Sequence, residues 1–312
     1  MFCKYIINMI KCLLDFSLLF YLLLKIIVKS AFFFVLPKNV KDIGDDVIVI
    51  TGGGKGIGKA IALQFAKYHP SHIVLWGRTE ASLQSTAKHV RECGVKCTPM
   101  VCDVSQKDMI YKCAKDIQST IGEVSILVNN AGVVYGQSIL ESSEENIENT
   151  FQVNTLSHFW TMKSFLPGMI NRNHGHIVEI SSVLGLMGLR DAADYCSSKF
   201  AVTGLTESLY DELKCIPNNN IHITSIHPYI VANDMFSGIR TRLSWLIPPL
   251  TEEYVAKRTV EGVLTNRNKV ILPRSMYLTI LMTSLTPIKV QQLLVKLTGA
   301  DKAMVNFHGN QR

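Results

Sequence analysis

Tyr195 and Lys199 stand four positions apart in Tyr195-Cys196-Ser197-Ser198-Lys199, and Ser182 precedes the tyrosine by thirteen. On a helix, a four-residue spacing stacks two side chains on the same face. A free phenol titrates near ~10 and is a poor proton donor or acceptor at neutral pH. An ammonium held beside it favours the phenolate and should lower that value toward the range useful for general acid/base work. Ser182 follows the apolar run His176-Ile177-Val178-Glu179-Ile180, where its hydroxyl can polarise a carbonyl oxygen placed beside the tyrosine. A Tyr and a Lys at this spacing also occur in many ordinary helices, so the reading depends on the elements around them.

Those elements are present upstream. Thr51-Gly52-Gly53-Gly54-Lys55-Gly56-Ile57-Gly58 follows the β-branched run Val47-Ile48-Val49-Ile50 and opens an apolar helix at Ala60. Glycines let such a turn reach unusual φ values and let a pyrophosphate approach the backbone at a helix N-terminus. A strand, a loop and a helix in that order are the context such a motif requires. Asn129-Asn130-Ala131-Gly132 follows a second buried-strand run, Ser125-Ile126-Leu127-Val128, and Asn154 lies inside a helical stretch.

With TGGGKGIG, NNAG, Asn154, Ser182 and Tyr195-x3-Lys199 in this order, the chain resembles the short-chain dehydrogenase/reductase family over about residues 45 to 275. The resemblance implies a catalytic set of Asn154, Ser182, Tyr195 and Lys199. It further implies a dinucleotide held by Gly52, Lys55, Gly56, Ile57, Gly58, Asn130, Tyr195 and Lys199. Asp103 matches the family's adenine-contacting aspartate, although a bare Asp there could equally cap a helix. The family often has Pro-Gly with a Thr four positions on. This chain has His227-Pro228-Tyr229-Ile230-Val231-Ala232-Asn233 instead, so Asn233 is a looser match for a nicotinamide contact.

The second strand ends at Trp76-Gly77-Arg78. An acidic residue there would bind an adenine-ribose 2′-hydroxyl and favour NAD. A glycine in that place, with Arg78 and Lys55 able to grip a 2′-phosphate, points to NADPH/NADP+.

Apolar strand-like runs at 47–50, 72–76, 96–101, 124–128, 176–181, 221–226 and 269–272 alternate with longer helical patterns. This predicts an α/β fold, a Rossmann-type doubly wound parallel sheet of about seven strands, over residues 47–275. Residues 1–36 are strongly apolar but interrupted by Lys11, Asp15, Lys25 and Lys29. They predict an uncleaved N-terminal membrane anchor, either a tilted span with snorkelling lysines or a segment lying in one leaflet. Residues 37–46 read as a linker. Residues 276–312 read as a C-terminal extension, whose apolar stretch 276–297 suits a second membrane-facing element or a plain packing helix.

Hydrophobic residues make up 47% of the 312-residue chain and charged residues 18%, with a net charge of +7. There is no dense Lys/Arg run with interleaved aromatics, so the partners expected are membrane lipid and a small molecule, not nucleic acid. Eight cysteines form no C-x2-C pair and the nine histidines are scattered, which gives no metal site. Reduced thiols in a chain of this length place the catalytic domain on the cytosolic side; the endoplasmic reticulum, or alternatively lipid droplets, is the membrane the family resemblance implies.

The apolar tract, the segment 73–80, the apolar and aromatic segment 235–250 and the segment 255–261 are similar to the membrane-anchored branch of the family. That branch acts on retinoids and steroids. The resemblance implies NADPH-dependent reduction of all-trans-retinal to all-trans-retinol, with a 17-beta-hydroxysteroid or retinol dehydrogenase as the alternative. It also implies a homodimer paired through the helices carrying Asn154 and Tyr195. A catalytically idle membrane scaffold is the reading of another class, and the complete Asn-Ser-Tyr-Lys set argues against it.

Overall fold

The computed structural model describes residues 15–22, 24–25, 40–242, 244–245 and 247–308. The chain divides into two units, the second beginning at Asp42. In the first, residues 15–22 are helical with exposed apolar side chains. Most of the expected anchor lies outside the described residues, and among those described no helix is long and apolar enough to cross a membrane.

In the second unit, β1 (Val47–Thr51), β2 (His72–Gly77), β3 (Cys97–Val101), β4 (Ile126–Asn129), β5 (Gly175–Ile180), β6 (Ile221–Pro228) and β7 (Lys269–Leu272) form one sheet. Its order is β3-β2-β1-β4-β5-β6-β7, and every pairing is parallel. Chain order reverses between β1 and β4, the switch point at which such sheets bind ligands beyond their carboxyl ends.

Seven helices cover the sheet: α1 (Gly56–Ala66), α2 (Glu80–Glu92), α3 (Lys107–Thr120), α4 (Glu144–Phe151), α5 (Ser157–Arg172), α6 (Ala193–Lys214) and α7 (Glu252–Leu264). Successive strand side chains alternate between faces. Ile48 and Ile50 of β1 therefore join Ile61 and Phe65 of α1, Leu83 of α2 and Val260 of α7 in one core. Val47 and Val49 join Ile110 of α3, Phe165 of α5 and Leu209 of α6 in the other. Each such fully buried aliphatic or aromatic side chain contributes ~1.5–3 kcal/mol. With both faces covered, a strand must be apolar at every position, which is why the runs were continuous.

Two boundaries differ from the sequence reading. The stretch expected as linker already belongs to the catalytic unit at its end. Ile43 enters the first core, and the buried Asp46 accepts a hydrogen bond from His174 Nε2 at 2.6 Å. One apolar residue among charged neighbours is enough to dock the segment. The stretch 276–297 is two helices, α8 (Met276–Leu285) and α9 (Ile288–Thr298). They break at Thr286-Pro287, as a proline disfavours helix in the residue before it. The extension after residue 275 is packed into the same unit, with Met276, Ala303 and Met304 buried.

Candidate active site

At the carboxyl ends of the strands lies a cleft of about 520 Å³, within the range of small-molecule sites. Every residue singled out from the sequence lines it except Gly58 and Asn154, which stand directly behind its wall.

The Gly-rich turn is built for close approach. Gly52 has φ +66°, and a Cβ there would lie 2.9 Å from Asn130 Nδ2 and 3.1 Å from Ala131 Cα. A Cβ on Gly58 would meet the Gly52 carbonyl oxygen at 2.2 Å. Only glycine lets α1 begin this tightly against the turn, leaving its first N–H groups facing the cleft. Thr51 binds the turn to the neighbouring strand end: its hydroxyl accepts from the N–H groups of Asn130 (2.9 Å) and Ala131 (3.0 Å). Asn130 Nδ2 donates to the Thr51 carbonyl at 2.9 Å. Lys55 and Arg78 are exposed on the cleft wall, which Gly77, the last residue of β2, also lines. Asp103 Oδ1 accepts from the N–H and hydroxyl of Ser105, at 3.0 and 2.9 Å. It shapes the turn after β3 and is not the cap of α3, a place held by Gln106.

α6 carries Tyr195 and Lys199 one turn apart, both buried. Lys199 Nζ lies 5.8 Å from the centroid of the Tyr195 ring and donates to the Ile180 carbonyl at 2.8 Å. Ser182, just past β5, accepts from Leu184 N–H at 3.1 Å. Its own carbonyl accepts from His227 Nδ1 at 3.1 Å. Burial pushes the His227 pKa down to about 4, so this strut is neutral at physiological pH.

Electrostatically the site differs from the sequence expectation. Burial holds the Tyr195 phenol above its ordinary value, with the Ser182 hydroxyl working the other way. Burial also brings Lys199 down to about 8, opposed by the Glu179 carboxylate. The ammonium expected to favour a phenolate is directed at the Ile180 carbonyl, and desolvation is the dominant influence on both groups. Tyr195 is therefore a protonated donor at neutral pH.

Asn154 lies in a π-helical turn, Gln152–Leu156, between α4 and α5. Such turns interrupt the regular ladder and recur at functional sites. Its side chain is a strut: Oδ1 accepts from Val133 N–H (2.8 Å), and Nδ2 donates to the Val133 carbonyl (2.9 Å) and Ser198 Oγ (3.1 Å). Ser198 in turn donates to the Tyr195 carbonyl at 2.7 Å. Asn154 thus ties the loop after β4 to the catalytic turn of α6.

Asn233 lines the cleft and caps a 3-10 turn, Asp234–Phe236, accepting from Phe236 N–H at 3.3 Å. On that turn Phe236 meets Tyr195 edge-on, with ring centroids 6.0 Å apart. Met304 and Phe307, near the C-terminus, pack in the same cluster as Tyr195 and Phe236. The chain after α9 is stitched to the segment after Phe236 by Arg240 N–H to the Ala303 carbonyl (3.3 Å) and His308 N–H to the Ser237 carbonyl (3.1 Å). Several participants were not singled out from the sequence: the Thr51 hydroxyl, Ser198, His227, Glu252, Met304 and Phe307. Thr51, Ser198 and His227 lie inside or beside the quoted motifs. Nothing in the sequence marked Glu252, Met304 or Phe307, because tertiary packing alone brings them here.

The chain matches the profile of the short chain dehydrogenase family over residues 46–244. It is 38% identical to human Short-chain dehydrogenase/reductase 3 over 284 residues, covering 91% of this chain and 93% of that protein. It is 37% identical to human Retinol dehydrogenase 10, covering 94% of this chain and 93% of that protein. Among solved structures, a short chain dehydrogenase/reductase from Burkholderia phymatum in complex with NAD superposes with a TM-score of 0.69 at 27% identity. That match covers 77% of this chain and 93% of that one. An actinorhodin polyketide ketoreductase with NADPH gives 0.66 at 26% identity, covering 73% and 95%. A seven-stranded parallel sheet, a glycine turn at its switch point and a buried serine, tyrosine and lysine around one cleft place this chain in the short-chain dehydrogenase/reductase family.

Proposed function

We propose that this protein is a membrane-associated oxidoreductase that reduces a lipophilic carbonyl with NADPH, all-trans-retinal to all-trans-retinol being the favoured reaction. The observation that carries it is the meeting of Ser182, Tyr195 and Lys199 with the Gly-rich turn in one cleft whose far wall is apolar. Met235 and Phe236 in that wall, backed by Met304 and Phe307 in the same apolar cluster, suit a hydrocarbon substrate. The names of two similar human proteins, Retinol dehydrogenase 10 and Epidermal retinol dehydrogenase 2, favour a retinoid over a steroid. Residues 1–36 would hold the protein on the endoplasmic reticulum or a lipid droplet with the catalytic unit in the cytosol.

The residues present fit a dinucleotide phosphate. The glycine turn leaves space at the α1 N-terminus where a Cβ would intrude, and its N–H groups and positive dipole end suit a pyrophosphate. Lys55 and Arg78 supply the charge a 2′-phosphate needs, and no carboxylate occupies the end of β2 to oppose it. Gly52, Gly56, Ile57 and Asn130 would hold the phosphates, Asp103 the adenine side, and Lys199 and Asn233 the nicotinamide end. Bound there, NADPH supplies the hydride for the carbonyl carbon.

The chain's own groups handle the oxygen. Ser182 and Tyr195 donate hydrogen bonds to it, stabilising the negative charge that develops there. Tyr195 then gives up its proton as general acid; burial keeps the phenol protonated until the charge developing on the substrate oxygen draws that proton away. Lys199, next to the tyrosine, stabilises the phenolate left behind. Asn154 keeps α6 in register with the loop after β4, and its π turn would hold the water through which the proton is replaced.

The test is full-length protein in microsomes, offered retinal and steroid ketones with NADPH and NADH in parallel. Loss of retinal absorbance driven by NADPH is expected. Turnover of steroids alone would change the substrate, and no turnover of any carbonyl would overturn the enzymatic reading.

A further inference from the structure

α8 and α9 carry an apolar surface that the catalytic site does not use. α8 docks inward through Met276, which clusters with Val183 and Ile271, and Ile280 packs against them. Its other side bears Leu278, Leu281 and Leu285, at 64%, 54% and 73% exposure. α9 presents Ile288, Leu293 and Leu297 at 61–69%. In α8 the spacing of three and four puts the leucines in one stripe, and in α9 Leu293 and Leu297 form one with the exposed Val290, while Ile288 stands at the start of the helix outside it. Gln291 Nε2 donates to the carbonyls of Thr283 (2.6 Å) and Thr286 (2.9 Å), fixing one helix to the other. A helix at the surface of a soluble domain normally turns charge outward; α8 has no charged residue at all.

Charge indicates what covers this surface. Residues 262–300 contain no Asp or Glu but hold Arg267, Lys269, Arg274, Lys289 and Lys296. Lys269 is paired with Glu207 at 2.7 Å, so the charge on the helices themselves is that of Lys289 and Lys296. A second copy docking by the same patch would set these lysines against their own kind, which is unfavourable. An anionic lipid surface takes both features at once, with leucines at the acyl boundary and lysines at headgroup level. Helices of 10 and 11 residues are ~15 Å long, half the hydrocarbon thickness, so they lie on a bilayer and do not span it.

We propose that the outer face of α8–α9 is a monotopic contact with an anionic phospholipid leaflet, additional to the N-terminal tract. This does not depend on the retinal reductase reading. It sets the lipid contact close to the site, because α9 leads through Gly299 into the segment whose Met304 and Phe307 pack in the same apolar cluster as Tyr195 and the cleft residue Phe236.

The experiment places a photoreactive phenylalanine analogue at Leu281, at Leu293 or, as control, at Tyr68 beside the start of β2, in the full-length chain. Each version is bound to phosphatidylcholine vesicles with and without phosphatidylserine, irradiated, and analysed for crosslinked phospholipid. The readout is contact at one position, so it is independent of catalysis and of what else holds the chain on the vesicle. Lipid adducts several-fold above the control at both positions, rising with phosphatidylserine, are expected. Adducts no higher than at Tyr68, crosslinks into a second copy of the chain, or yields indifferent to phosphatidylserine would each overturn the proposal.

Discussion

Replacing Lys199 by methionine keeps the length and most of the stem of the side chain while removing its charge. The buried ammonium is held at about 8, against an ordinary value of 10.5. The unfolded chain keeps this proton up to about 10.5 and the folded chain releases it near 8, so across that window the unfolded state binds more protons and stability rises with pH. Below the window both states are charged, and the folded one bears the full desolvation penalty. That gap corresponds to ~3 kcal/mol, at ~1.4 kcal/mol for each pH unit. In the variant the Ile180 carbonyl loses its donor, which costs ~1 kcal/mol. Lys199→Met should therefore stabilise the fold by ~2 kcal/mol near neutral pH, a rise of ~4 °C in the unfolding midpoint, while turnover collapses. The advantage should disappear as pH climbs through the window. Thermal unfolding of detergent-solubilised wild type and variant, at neutral and strongly alkaline pH, measures both effects. A variant destabilised equally at both would show Lys199 to be an ordinary packed side chain, and the strained-charge account would fail.

Arg78→Ala should weaken NADPH binding by about tenfold or more, the scale of a lost charge-assisted contact, and leave NADH binding nearly unchanged; equal losses would remove Arg78 from 2′-phosphate recognition. Glu252 lines the same cleft, and its Oε1 lies 3.3 Å from where a Gly56 Cβ would sit. Burial raises its pKa, with a hydrogen bond from Asn233 opposing. Its negative charge near the pyrophosphate turn appears as pH rises through that raised value, so NADPH affinity should fall with pH, and Glu252→Gln should flatten the profile and tighten binding near neutral pH. Titration by NADPH fluorescence decides it, and an unchanged slope would refute it. Ser182→Ala should lower turnover with cofactor affinity intact; a loss of affinity alone would assign the serine to binding.

The strands were legible because a sheet covered on both faces leaves no polar alternation to confuse the reading, as in Val47-Ile48-Val49-Ile50. The glycine turn and the Tyr195–Lys199 spacing were legible because each is local, set by one turn or one helix. What the sequence hid depends on distant segments. Whether Lys199 lowers the tyrosine's pKa depends on where its ammonium points, and the Ile180 carbonyl that captures it comes from β5. Asn154 was recognised, yet its role as strut to Val133 and Ser198 needs a π turn that no periodicity announces. The approach of Met304 and Phe307 to Tyr195 spans more than a hundred residues of chain. Ile43 shows the converse, a single apolar residue in a charged stretch extending the domain where composition suggested a linker.

Tyr195→Phe tests the central claim most directly, since it removes one hydroxyl and keeps the ring that packs edge-on against Phe236. Single-turnover reduction of a lipophilic carbonyl by NADPH should slow by the ~10²–10⁴ typical of general acid catalysis, with NADPH binding unchanged on the same preparation. Near-normal turnover in this variant would mean that another group supplies the proton and that the Ser182–Tyr195–Lys199 arrangement is structural.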